Sequence, residues 1–268
     1  MGRDAPTIVR FASPGRRARW LVLLALISIA AGCRTPCLSA AVDCFAQPDP
    51  SAAIAEAELE RAWDEWATRH LRMGDIVFRM GVSRVVLNLF DVSKFSAELA
   101  DSEYSHAGLV VFEEGRPWVY DICRGHDARR MPFSAFLMEY KLAFGVKRLK
   151  PEHRPHILGA VEYCRWVHAR RVPFDGDFRP ENGRLYCTEM IEGAYRSSGL
   201  ALSEPVRIDQ LPNYHEHPTL VRLLTTCSTL TSEQEVLIPG NDRLGIWASD
   251  KLEFVYAAPD PLSDPPRW

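Results

Sequence analysis

A pattern of period two begins at Ser105 and runs to Ile122, interrupted only by Glu113-Glu114-Gly115-Arg116. Alternation places successive side chains on opposite faces of a strand, and a short polar break containing glycine closes two such strands into a hairpin. The middle of the chain is therefore committed to antiparallel sheet. A turn centred on Glu114-Gly115 sets position 108 opposite 121 and position 106 opposite 123. His106, Gly108 and Val110 then share one face. Asp121 falls on that same face, one diagonal step from His106, at the ~7 Å that side chains can close. A turn longer or shorter by one residue would carry Asp121 to the other face.

The flanking segments predict an α+β domain. Ile54, Ala55, Leu59, Ala62, Trp63, Trp66 and Leu71 follow helical spacing between Ser51 and Arg72. Gly74-Asp75 breaks that pattern before a short strand, Ile76-Val77-Phe78, and residues 81–103 read equally as helix or loop. A short helix is predicted at 134–140, a strand at 143–149 and a helix from Pro155 to Arg171 with Ile157, Val161, Cys164 and His168 on one face. Residues 173–183, rich in Pro, Gly and Asp, form a loop. A helix follows from Cys187 to Ser198 and stops at Gly199. A further short helix is expected at 219–226, with strands at 234–238 and 252–257. The expected architecture is a small, mostly antiparallel sheet with helices packed to one side.

The first 50 residues belong to export rather than to the fold. Arg10, Arg16, Arg17 and Arg19 precede an apolar run from Trp20 to Ala31 that is far shorter than the ~20 residues of a membrane-spanning helix. Ala30-Ala31-Gly32-Cys33 resembles a bacterial lipobox, in which the cysteine thiol receives diacylglycerol. The paired Arg16-Arg17 also fits a twin-arginine signal, although its flanking residues match that signal poorly. The predicted organisation is a signal peptide at 1–32, a lipidated tether at 33–50 anchored through Cys33, a folded domain at 51–258 and a Pro-rich tail at 259–268. The expected location is the bacterial envelope, on the outer membrane facing the periplasm, because Arg34 rather than an aspartate follows the lipidated cysteine.

Composition narrows the partners. The chain carries 32 Lys+Arg against 35 Asp+Glu, a formal charge of −3. It has no run of five basic residues, which excludes the electrostatic footprint of a nucleic-acid binder. The seven cysteines include no C-x-x-C pair, so no structural zinc site or other metal is expected. Cys37 and Cys44 can close a small loop in an oxidising compartment. His153, His156, His215 and His217 read as surface histidines without ligand partners at suitable spacing.

Cys187 stands at the start of its helix, and Met190, Ile191, Ala194 and Tyr195 share its face, so the thiol points toward the protein body. A thiol there lies at the positive end of the helix dipole, which favours thiolate over the ordinary pKa of ~8.5. Backbone N–H groups in that turn are free to bind a developing oxyanion. On position alone, Cys187 reads equally as a nucleophile or a core cysteine.

Three stretches resemble the permuted papain-like cysteine amidases of the YiiX type, relatives of the NlpC cell-wall peptidases. They are Gly74-Asp75-Ile76-Val77, Tyr104-Ser105-His106-Ala107-Gly108-Leu109-Val110, and Phe174-Asp175 followed by Phe178 and Leu185-Tyr186-Cys187-Thr188-Glu189-Met190. Ile238-Pro239-Gly240-Asn241, followed by Leu252 and Val255, resembles the C-terminal strands of that family. The resemblance spans residues 70–257 in order. It implies a circularly permuted papain-like fold, in which the histidine strand precedes the nucleophile helix. By position it makes Cys187 the nucleophile, His106 the general base and Asp121 the orienting residue, where related proteins more often carry glutamate. Cys123, opposite His106, either faces the same site or is a structural thiol. The implied chemistry is acyl transfer from a peptide or amide through a thioacyl intermediate, with no cofactor. Two other functions stay open: lipid acyl chemistry of the lecithin retinol acyltransferase type, and a non-catalytic envelope lipoprotein that binds a ligand.

Overall fold

The computed structural model describes residues 50–82, 84–85, 90–139, 142–219, 221–222 and 230–258. The signal peptide, Cys33, Cys37, Cys44, Cys227, most of the tether and the Pro-rich tail lie outside them, as does most of the helix expected at 219–226.

The chain begins with helix α1 (Pro50–His70), followed by strand β1 (Ile76–Arg79). The segment that sequence left open contains two short strands, β2 (Arg84–Val85) and β3 (Phe90–Asp91), and helix α2 (Val92–Leu99). The Asp91 side chain caps α2 by accepting from the amides of Ser93 and Lys94. Then come β4 (His106–Glu113), β5 (Arg116–Asp121), β6 (Arg129–Pro132), α3 (Phe133–Met138) and β7 (Phe144–Leu149). A 3-10 turn over Pro151–His156 leads into α4 (Ile157–Ala169), so the helix starts two residues later than its spacing suggested. Pro155 has no amide to offer the carbonyl four residues back, and the chain coils more tightly until Ile157. Helix α5 (Cys187–Ser197), β8 (Val206–Arg207), β9 (Glu235–Val236) and β10 (Leu252–Ala258) follow, with short 3-10 turns at Ile208–Gln210, Tyr214–Glu216 and Ile246–Ala248. No helix among the described residues is long and apolar enough to cross a membrane.

Six strands form one antiparallel sheet in the order β10-β7-β1-β4-β5-β6. Helices cover both of its faces, where the sequence suggested one. Ile76, Phe78, Leu109 and Val111 face α4 and α5 through Cys164, Val167, Met190, Ile191, Ala194 and Tyr195. Val77, Val110, Val119 and Val146 face α1 and α3 through Trp63, Trp66, Leu71, Phe133 and Phe136. The physical reason stands in β1, where all four residues are buried, and in β4, where the first six are. A strand with both faces covered cannot keep one of them polar.

Local motifs lock this frame. Asp75 is fully buried, and Arg148 grips its two oxygens at 2.7 Å each while the Arg72 amide donates to one of them at 2.8 Å. Tyr195 on α5 donates to the carbonyl of Gly74 at 2.7 Å, tying the helix that begins at Cys187 to the entrance of β1. The β4–β5 turn has two residues, Glu114 (φ 52°) and Gly115 (φ 76°), the positive pair that closes a two-residue hairpin. Leu109 accordingly pairs with Tyr120, and Glu113 with Arg116.

Gly108 sits where another strand comes close. A Cβ placed on it would stand 2.5 Å from Val119 Cγ1 and 3.1 Å from the Tyr120 carbonyl oxygen. Gly108→Ala is therefore expected to destabilise the domain by about 1–3 kcal/mol through overpacking, measured as a lower urea midpoint at unchanged slope. An unaltered midpoint would show that β4 and β5 are not held this closely.

Candidate active site

The hairpin register delivers two of the residues. His106 opens β4 and Asp121 ends β5, and Nε2 of His106 hydrogen-bonds Oδ2 of Asp121 at 2.7 Å. Gly108, between them on the same face, has no side chain to hold them apart, and its missing Cβ would lie 3.5 Å from that of Asp121. The His106 ring also stacks on Phe136 of α3, with centroids 5.7 Å apart, and is nearly buried.

The thiol arrives from the other direction. Tyr186 is extended (φ −109°, ψ 172°) and α5 starts immediately after it, so Cys187 is its first helical residue. Met190 is the first amide to close an intrahelical bond, to the Tyr186 carbonyl at 2.9 Å. The amides before it point out of the helix end. The Cys187 thiol meets the His106 ring and the amides of Ala107 and Thr188. Because Nε2 is committed to Asp121, Nδ1 is the ring nitrogen left for the sulfur.

Neighbouring contacts fix the turn that carries the thiol. Thr188 Oγ1 donates to the Leu237 carbonyl at 2.8 Å, and the Leu237 amide donates to the Tyr186 hydroxyl at 2.8 Å. Asp175 is fully buried and accepts from the amides of Asp177 (2.9 Å) and Arg179 (2.7 Å), which shapes the loop that brings Phe178 onto the Tyr186 ring at 4.9 Å.

Electrostatics distinguish Cys187 from the other described thiols, all of them free. Burial pushes Cys164 up to about 12. Burial and the adjacent Asp121 carboxylate push Cys123 up to about 12 as well. Burial acts against the Cys187 thiolate too, but the charge and hydrogen bond of His106, with the amides of Ala107 and Thr188, bring its pKa below the ordinary thiol value. His106 moves the opposite way. Burial opposes its cation, yet the Cys187 thiolate and the hydrogen bonds to Asp121 and Cys187 raise it above the usual imidazole value, against the charge of Arg79. Both shifts run in the direction that favours a thiolate beside an imidazolium.

The sequence did not disclose what surrounds Asp121. Arg129 of β6 donates to Oδ1 through Nε at 2.7 Å and to Oδ2 through Nη2 at 2.9 Å. Arg79, at the end of β1 directly opposite His106, stands 4.0 Å from Oδ2. Burial raises the Asp121 carboxyl, but His106 and Arg129 together hold it well below the usual carboxylate range. An arginine closing a run of three apolar strand residues was the available signal for Arg79. Nothing local marked Arg129.

The remaining candidates fall elsewhere. Cys123 is half-buried beside Asp121 and Arg129. His156 hydrogen-bonds the Ser198 carbonyl through Nδ1 at 2.7 Å, and His217 lies edge-on to Phe95. Among the described residues, no group of three or more His, Cys, Asp or Glu converges as metal ligands.

A thiol, an imidazole and a carboxylate meet in sequence at the end of a sheet and the start of a helix, the layout of a papain-like site with the histidine strand ahead of the cysteine helix in the chain. The family model of the permuted papain-like amidase enzymes, YaeF/YiiX, C92 family, matches residues 70–223. That is more than half of the chain, and the chain belongs to this family. Among solved structures it is similar to the metalloprotein yiiX from Escherichia coli O157:H7, with a TM-score of 0.55 and 19% identity over 70% of this chain and 97% of that one. This likeness confirms the α+β, permuted papain-like fold. Comparison with curated proteins gives no match.

The poised pair has a kinetic signature. Iodoacetamide is expected to alkylate Cys187 at pH 6–7 at least tenfold faster than an ordinary thiol of pKa ~8.5, and His106→Ala is expected to abolish that advantage. Peptide mapping of the labelled protein checks it. Equal labelling of Cys123, or a rate indifferent to His106, would contradict the assignment.

Proposed function

We propose that this protein is an exported, lipid-anchored cysteine amide hydrolase that cleaves a peptide or amino-acid amide of the cell envelope. The observation that carries this reading is the in-line set of Cys187, His106 and Asp121, with the 2.7 Å bond between the last two and a thiol pKa lowered by the imidazole it meets. Membership in an amidase family supports it.

In this mechanism His106 holds the thiol proton on Nδ1 and leaves Cys187 as thiolate. The sulfur attacks the carbonyl carbon, and the electron pair moves to the oxygen, which the outward-pointing amides at the start of α5 stabilise. Collapse expels the amine, which takes its proton from His106, and a thioester remains on Cys187. His106, now neutral, takes a proton from water. The hydroxide adds to the thioester and the acid departs, returning the thiolate and imidazolium. Asp121 keeps the ring oriented and compensates its charge without itself becoming protonated.

The structural neighbour is titled a metalloprotein, but the residues around Asp121 do not fit a metal ion. Both oxygens of Asp121 are engaged by Arg129 and His106, and no third ligand joins them among the described residues. The anchor rests on the lipobox ending at Cys33, and the envelope location follows from it.

Three variants test the proposal. Cys187→Ala is expected to remove amide cleavage of envelope-derived peptides by about 10³-fold or more, and Asp121→Asn to lower kcat by about tenfold or more with little change in KM. Cys33→Ser should move the protein from the membrane fraction to the soluble fraction. Cleavage that survives Cys187→Ala would overturn the enzyme reading, and faster turnover of acyl esters than of peptides would favour the lipid acyl alternative.

A further inference from the structure

The Cys187–His106–Asp121 reading leaves one charged residue at the site without a role. Glu139, at the C-terminal end of α3, touches neither the thiol nor the imidazole. It lies across from Asp121, and two arginines bridge the carboxylates. Arg129 donates to Glu139 Oε1 through Nη1 at 3.0 Å and to Oε2 through Nη2 at 2.7 Å. Arg79 donates to Oε2 through Nη2 at 2.6 Å, to the Phe136 carbonyl through Nη1 at 2.9 Å, and lies over the Phe136 ring at 4.2 Å.

The formal charges of this cluster close to zero. In its ionic form the site holds three cations, Arg79, Arg129 and the His106 imidazolium, and three anions, Asp121, Glu139 and the Cys187 thiolate. The side chains of Arg79 and Asp121 are 2% and 0% exposed, so water offers them little screening, and a net charge there is costly. Among the described residues the other titratable group facing Glu139 is Cys123, whose thiol is held protonated. Without Glu139, two guanidinium charges would stand against one carboxylate behind the imidazole.

We propose that Glu139 is a positioning residue that holds Arg79 and Arg129 on Asp121 and cancels one of their two charges, so that His106 can carry a proton beside the Cys187 thiolate. This rests on reading His106 as the base of a thiol hydrolase. Glu139 acts through the arginines and takes no part in bond making. A neutral isostere at 139 adds one positive charge near the imidazole, which lowers the pH at which His106 loses its proton. The effect on the more distant thiol is smaller, so the pH window of the ion pair narrows from its alkaline side.

The experiment is an NMR titration of His106 in the full-length Cys187→Ala protein, where the imidazole titrates without its coupled partner. Adding Glu139→Gln is expected to lower the His106 midpoint by about one pH unit, a tenfold change in proton affinity. Glu139→Asp should restore most of the shift. Arg79→Met combined with Glu139→Gln removes one charge of each sign and should return the midpoint toward the parent value. That double variant also covers a failure of Glu139→Gln to fold. An unshifted midpoint in Glu139→Gln, or a double variant shifted as far as the single one, would overturn the proposal. Expected shifts in a protein that cleaves no amide would support the charge balance and refute the hydrolase, so the two claims fail separately.

Discussion

Everything at this site depends on one turn. Glu114 and Gly115 both adopt positive φ, the geometry in which two residues reverse a twisted strand pair. Their register sets Leu109 against Tyr120 and places Asp121 diagonally from His106. One more residue would turn Asp121 to the opposite face of the sheet, away from the imidazole and from Arg129. The Asp121 carboxylate reaches His106 at 2.7 Å beside Gly108, which places no side chain against it.

A second constraint comes from α5. The helix must present its first residue to a strand that precedes it by some 80 positions, and the contacts that enforce this are polar and buried or partly buried. Tyr195 reaches Gly74, Thr188 and Tyr186 both bind Leu237, and Glu192 is buried while accepting from the amides of Leu202 and Ser203. Each partnership satisfies a group whose burial would otherwise be costly. Together they leave Cys187 little freedom to move away from His106. A thiol activated by an imidazole needs such preorganisation, because the two groups stabilise each other's charge only at contact distance.

What could be read from sequence was what is local. The hairpin, its turn and the helix beginning at Cys187 each carry a period of two or 3.6 over a continuous stretch, and the resemblance joined them into one fold. The two-sided burial of the sheet was less legible. Only the unbroken apolar run of β1 hinted at it. Arg79, Arg129 and Glu139 were not legible as a unit, because 60 positions separate the outer members and no periodicity links them. Their association arises when α3 packs across the face of the sheet that spans β1, β4, β5 and β6. Buried ion networks are long-range objects, and a single chain offers no pattern from which to assemble one.

The central claim is that Cys187 is an acyl-accepting nucleophile activated by His106. Brief exposure to p-nitrophenyl acetate near neutral pH, acid quenching and mass mapping of the peptides would test it most directly. The account predicts a hydroxylamine-labile acetyl group on Cys187, none on Cys123 or Cys164, and its loss in His106→Ala. An unmodified Cys187, or acetylation that persists without His106, would contradict it.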